Sequence, residues 1–338
     1  MRNLYLNGLA IILFAVSFSG CSNVEKKKKI KIGFSMDSYL EERWQKDGEF
    51  FKQKVEELGG EVIMLYASGN EQLQNEQVET ILNKDVDVLV IVPHNSKSAA
   101  YCVKAAHKKG IKVISYDRMI QDCDLDLYVS FDNVKVGEMQ ARYLLKVVPK
   151  GNYLLIGGAP TDQNSFMIRK GQMNILQPAI DRGDIKIISD KYAKDWLPYQ
   201  ALKLTESALA MTKNKIDAIL ASSDKLASGA VQSLTENEIA GKIPITGMDA
   251  QLVAIQCIID GSQTMTVYKS ISNLATAAAV AAVAFAKKET PKGINSKVNN
   301  GKIYLPAILL EPVIVDKSNI EQTVIADGYI EKKQLKFH

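Results

Sequence analysis

The sequence predicts two α/β lobes, each a doubly wound parallel sheet, and three observations lead there. From Ile30 onward, short β-branched runs alternate with longer amphipathic segments, the pattern of βαβ units. The series starts afresh at Gly151, so two similar sheets are expected. The stretch from Ile30 to the C-terminus is about 309 residues, more than one typical core and suited to two lobes of roughly 130 to 170.

The first strand is expected at Ile30 to Met36, followed by a helix carrying Trp44, Phe51, Val55 and Leu58 at helical spacing and ended by Gly59 and Gly60. Strands follow at Glu61 to Tyr66, Val86 to Val92, Lys112 to Tyr116 and Leu127 to Phe131. Helices separate them near Glu71 to Leu82 and Lys97 to Lys108, and another runs from Val134 to Val147. The second series places strands at Tyr153 to Ile156, Ile185 to Ser189, Ala218 to Ala221 and Ile243 to Gly247. A further strand at Thr264 to Val267 leads into the alanine-rich segment Ser270 to Lys287, read as a core helix because its ends are too polar for a membrane span. One more apolar stretch, Ile308 to Val315, precedes a polar tail.

Before Ile30 the chain has a different character. Arg2, an apolar run from Leu4 to Phe18 and the small residues Ser19 and Gly20 before Cys21 have the layout of a secretory leader, too short for a transmembrane helix. The junction resembles a bacterial lipobox, with Phe18 where an aliphatic residue is usual, so residues 1–20 are expected to be removed and Cys21 lipidated. The alternative is an ordinary leader with an incidental cysteine. Residues 21–29 then read as a solvated tether. Either way the mature protein is expected outside the cytoplasm, periplasmic or at the cell surface.

The 42 basic and 38 acidic residues suggest a basic protein. Arg2 and Lys26 to Lys29 account for the excess, leaving a neutral body and no reason to expect nucleic acid as partner. Cys102, Cys123 and Cys257 show no metal-site spacing and read as packing residues, with a single bridge left open. No metal, cofactor or catalytic residue is expected.

Open parallel sheets bind ligands at the carboxyl ends of their strands, and several expected strands end in polar residues. Asp117 and Arg118 follow one strand, Asp132 and Asn133 another, Asp162 and Asn164 a third, Asp249 and Lys269 two more. Charges of both signs converge there without histidine or an obvious nucleophile. Such a set suits a neutral polyol, whose hydroxyls donate to carboxylates and accept from Arg, Lys and amides. Trp44 and Trp196 are the chain's two tryptophans, and a flat ring can cover the C–H face of a pyranose. Asp132 reads as a helix N-cap, and Asp224 has a capping alternative.

Glu42 to Asp47, Tyr116 to Met119, Ser130 to Asn133, Gly171 to Met173, Asp195 to Pro198 and Thr264 to Lys269, taken together, resemble the D-xylose-binding proteins of bacterial ABC transporters, within the ribose-type periplasmic binding proteins. The resemblance covers the chain from Ile30 onward. It implies the type I periplasmic binding protein fold: two lobes joined by a three-crossover hinge near Asp132 to Lys135, Tyr268 and Pro306 to Pro312. The first lobe would comprise 30–133 plus 269–305, the second 134–268 plus 306–338. It implies sugar contacts from Arg43, Trp44, Asp117 and Arg118, from Asn164, Trp196 and Asp249, and from Lys269 at the hinge. Ser223 stands where the family has Asn, so a direct contact there is expected to pass through water. The implied partners are D-xylose or a related monosaccharide and an ABC permease in the inner membrane, the protein acting as a monomer held by its lipid anchor.

Three rival readings differ in class. A sugar-responsive repressor would carry a DNA-binding helix-turn-helix where this chain has its leader. An exported sensor presenting bound pentose to a membrane receptor kinase would use the same ligand chemistry. A glycosidase needs two carboxylates flanking a scissile bond, and a site enclosing one monosaccharide leaves no room for an aglycone.

Overall fold

A computed structural model describes residues 29–39 and 42–337. The expected leader and Cys21 lie outside the described residues. The element order is β1 (Lys31–Met36), α1 (Glu42–Glu57), β2 (Glu61–Tyr66), α2 (Glu71–Leu82), β3 (Val88–Ile91), α3 (Ala100–Lys108), β4 (Lys112–Tyr116) and β5 (Leu127–Phe131). There follow α4 (Asn133–Val147), β6 (Gly151–Gly157), α5 (Gln163–Asp181), β7 (Ile185–Tyr192), α6 (Pro198–Thr212), β8 (Ala218–Ala221), α7 (Asp224–Glu236) and α8 (Leu252–Asp260). The chain continues through β9 (Thr266–Tyr268), α9 (Ile271–Ala286), β10 (Ser296–Asn299), β11 (Tyr304–Leu310) and β12 (Val313–Val315).

The first sheet has the order β10-β11-β5-β4-β3-β1-β2, parallel except for β10 at its edge. Its central strands are buried on both faces, which is why they read as unbroken apolar runs. One face packs Trp44, Phe51 and Val55 of α1 against the alanine face of α9, where Ala275, Ala278, Ala279 and Ala282 let the two helices approach closely. The other face lies under α2 and α3. Among the described residues no helix is long and apolar enough to cross a membrane.

The second sheet orders β7-β6-β8. Strand alternation sends Tyr153, Leu155 and Leu220 toward α4 and α5, and Leu154, Ile156 and Ile219 toward α6 and α7. The strand expected at Ile243 to Gly247 is reduced to a single bridge between Ile219 and Ile245. Pro244 has no N–H with which to extend the ladder upstream. Downstream, the Ala221 carbonyl is taken by the Thr246 hydroxyl at 3.0 Å. The segment still joins β8 to β9, since Thr246 N donates to Ile219 O and Val267 N to Gly247 O, both at 3.1 Å.

The apolar stretch from Ile308 to Val315 is not one strand. Glu311 and Pro312 split it: β11 pairs with β5 of the first sheet and β12 with β9 beside the second. Within the expected crossover region Pro306 to Pro312 the passage falls at Glu311 and Pro312, so the lobe boundary expected at residue 305 moves to residue 310, because β11 stays paired with β5 through Leu310. The chain passes between the sheets three times: after β5, after β9 and between β11 and β12. Lys135 at the first passage pairs with Glu311 at the third. Cys102, Cys123 and Cys257 are free thiols.

Candidate functional site

The carboxyl ends of both sheets face one narrow space. The nine residues for which the resemblance implies a place at the sugar line it, Arg43, Trp44, Asp117, Arg118, Asn164, Trp196, Ser223, Asp249 and Lys269, whereas the strand-end residues Asp132 and Asn133 do not. Asp162, Lys225, Met248 and Gln251 line it as well.

Local structure explains how each arrives. Arg43 and Trp44 sit in the first turn of α1. Asp117 follows β4 with a left-handed backbone, φ 58°, which Asp tolerates better than most side chains. Its carbonyl accepts from Tyr128 at 2.8 Å and Ser130 at 2.7 Å, which fixes the turn. Trp196 ends a short 3₁₀ turn, also left-handed at φ 55°, with its indole against Gly158, where any Cβ would lie 2.1 Å from the ring. Asp249 (φ 96°) and Ala250 (φ 52°) form a strained turn closed by Asp249 N to Val267 O at 2.8 Å.

The charges interlock across the space. The guanidinium of Arg43 donates to Asp117, to Asp249 at 3.2 Å and to Asp47 at 3.3 Å. Lys269 Nζ lies 3.1 Å from Asp249 and 3.7 Å from Asp117. Arg118 reaches Asp37 at 2.7 Å and Asp162 at 3.0 Å. Asn164 Nδ2 donates to Asp117, and Trp196 Nε1 to Asp162 at 3.2 Å. The Trp44 ring lies under both guanidiniums, 4.5 Å from Arg43 and 5.2 Å from Arg118. The lobes thus meet through cations and carboxylates that can exchange partners for hydroxyl groups.

Two expectations need correction. Histidine is not absent: His94 Nδ1 lies 2.8 Å from Asp37, which in turn holds Arg118. His94 follows β3 and Asp37 follows β1, so the rule that found Asp117 would have found both; what hid them is that they act one residue behind the lining. Asp224 is not the cap of α7. Ser223 caps it, accepting from Leu226 N at 3.4 Å, while its hydroxyl proton stays available to the space. Asp224 turns away to accept from Gln251 N and Gln263 Nε2, both at 2.9 Å. Asp132 does cap α4, accepting from Lys135 N at 3.0 Å. Among the described residues no group of side chains could hold a metal ion.

Burial pushes the carboxyl of Asp224 up to about 7 and that of Asp47 up to about 6. Burial would raise Asp37 and Asp117 too, but Arg118 with His94, and Arg43 with Lys269, outweigh it and hold both at about 2. His94 is raised by its bond to Asp37. In the folded state Asp47, Asp224 and His94 therefore hold protons more tightly than in the unfolded chain, and stability grows as pH falls from 8 toward 5. Asp37 and Asp117 act in the opposite sense, and only as pH falls from their ordinary value of 3.8 toward 2. The ligand-free protein should thus melt at a higher temperature at pH 5 than at pH 8. A thermal unfolding series showing the reverse order would contradict these assignments.

Residues 32–290 match the family described as periplasmic binding protein domain. The chain is 46% identical over 326 residues to the D-xylose-binding periplasmic protein of Haemophilus influenzae, covering 96% of this chain and 98% of that one. It is 48% identical over 308 residues to the D-xylose-binding periplasmic protein of Escherichia coli, covering 91% and 93%. Among solved structures, a carbohydrate transporter solute-binding protein from Chloroflexus aurantiacus in complex with D-glucose superposes with a TM-score of 0.86 at 30% identity, covering 91% of this chain and 99% of that one.

Proposed function

The chain belongs to the periplasmic binding protein family, and from that premise we propose that it captures D-xylose between its lobes and delivers it to an ABC transporter permease. It is a binding protein of the ribose type and not an enzyme. The observation that carries the sugar reading is the mixed ring of Arg43, Arg118 and Lys269 with Asp117, Asp162 and Asp249, flanked by Trp44 and Trp196.

A bound monosaccharide would replace the ion pairs between the lobes with hydrogen bonds of its own. Each hydroxyl would donate to a carboxylate and accept from Arg43, Arg118, Lys269 or Asn164. Charged hydrogen bonds contribute about 1.5–3 kcal/mol each, and micromolar binding needs roughly 8 kcal/mol, so a few suffice. The indoles of Trp44 and Trp196 would cover the apolar faces of the ring. Ser223, with one of its two lone pairs used by the cap, would reach the sugar through its proton, its second lone pair or water.

Closure would pivot on the three passages between the sheets, and the closed form is the one a permease can distinguish from the open one. The Ser19-Gly20-Cys21 junction and the lysine tether support a lipid anchor at Cys21, with the folded body acting as a monomer in the periplasm or at the cell surface. Calorimetric titration of the protein with xylose, ribose, arabinose, glucose and galactose tests the reading. Xylose should bind tightest. A better rank for another sugar would rename the ligand, and no heat with any of them would end the sugar assignment.

A further inference from the structure

Resting on the sugar reading of the cleft, we propose that Asp47, which does not line the cleft, is a positioning residue that sets sugar affinity by fixing the Arg43 guanidinium. Asp47 is fully buried on α1, one turn beyond Arg43. Its Oδ2 accepts from Arg43 Nε at 3.3 Å, and its Oδ1 accepts from the Tyr116 hydroxyl. Arg43 is thereby held at its inner nitrogen, with the Trp44 ring 4.5 Å from its carbon. Both outer nitrogens are left to the cleft, where they meet Asp117 and Asp249.

A guanidinium has five N–H groups in a rigid fork. With one given to Asp47, the remaining four lie on the outer nitrogens, which meet Asp117 and Asp249 in the cleft. Without that anchor, the long side chain regains rotamer freedom that binding would have to remove again. Tyr116 immediately precedes Asp117, so one short segment supplies both the clamp on Asp47 and a carboxylate of the cleft.

The groups facing Asp47 are Arg43 on its own helix, Tyr116 and Asp117 at the end of β4, and Tyr66 on β2. Burial pushes Asp47 up to about 6 against the pull of Arg43 and Tyr116, so its anchoring charge is lost within an accessible pH range. Asp224, pushed up to about 7, faces the Gln251 turn, and His94, raised by its bond to Asp37, faces Asp37, so comparison with a variant lacking only the Asp47 charge isolates its share.

The test is calorimetric titration of xylose into the full chain from pH 8 to 5, for the wild type, Asp47→Asn, Tyr116→Phe and Arg43→Lys with and without Asp47→Asn. Wild-type affinity should fall with a midpoint near pH 6. Asp47→Asn should bind about tenfold more weakly at pH 8, within the range found for directly coupled side chains, and lose that midpoint. Tyr116→Phe keeps the carboxylate, removes a bond that lowers its pKa, and should move the midpoint upward. In the Arg43→Lys background, which lacks the Nε–H, Asp47→Asn should change affinity little. An unaltered Asp47→Asn profile, an unmoved midpoint in Tyr116→Phe, or an equal loss in the lysine background would overturn the proposal alone. Absence of binding by the wild type would overturn the sugar reading and this proposal with it.

Discussion

Replacing Asp117 by alanine should weaken sugar binding by at least about a hundredfold, the largest loss expected from any single side chain in the cleft. Its carboxylate is fully buried and pairs with Arg43 while Lys269 lies 3.7 Å away. It also accepts from Asn164 at 3.3 Å across the cleft. Removing one partner of a buried ion pair costs about 3–5 kcal/mol, because the other charge is left uncompensated. Here Arg43 and Lys269 each lose a carboxylate and are left to share Asp249, and the sugar loses an acceptor as well. The left-handed backbone at this position, φ 58°, adds a further cost for alanine. Asp117→Asn separates these effects: the amide tolerates the backbone and keeps one acceptor, so its loss should be smaller than that of alanine. Calorimetry on both variants checks the order, and near-wild-type affinity for Asp117→Ala would mean that the ligand lies elsewhere.

Gly171→Ala should produce the largest loss of stability from the smallest change in the chain. α4 and α5 cross where Gly137 and Gly171 face each other's backbone. A Cβ on Gly171 would lie 1.9 Å from Val134 O and 2.9 Å from Glu138 N, and one on Gly137 would lie 1.9 Å from Ile168 O. These are backbone atoms, so no side chain can swing aside and the helices themselves must separate. Overpacking of a tight core contact costs about 1–3 kcal/mol and occasionally more; the upper end is expected here, a drop of roughly 6 °C or more in the melting temperature. Because α5 carries Asn164 in its first turn and α4 leads away from the first passage between the lobes, sugar affinity should fall too. An unchanged melting temperature would show that the crossing can relax.

Much of the site could be read from the chain because the rule behind it is local. A polar residue directly after an apolar run lies at the carboxyl end of a strand, and in open parallel sheets those ends converge. Asp117, Arg118, Asp249 and Lys269 each obey that rule. Asp37 and His94 obey it as well, yet their place behind Arg118 depends on where β1 and β3 stand relative to β4, which no local pattern encodes. Asp47 was invisible for a different reason. It sits within a helix, and its partner Tyr116 comes from the end of β4, far away in the chain.

The sequence by itself determined the alternation of strands and helices, the restart at Gly151, the residues at the strand ends and the two tryptophans, since each follows from periodicity, turn chemistry or residue type over a few positions. Tertiary structure alone decided three things. It divided Ile308 to Val315 between two sheets, because partner strands and not composition select the pairing. It gave the helix cap to Ser223 and turned Asp224 toward Gln251, because the donors that claim a buried carboxylate come from distant segments. And it set four buried carboxylates in and behind the cleft apart, Asp37 and Asp117 near 2, Asp47 near 6 and Asp224 near 7, because the energy of a buried charge depends on whether a cation from elsewhere in the fold stands beside it.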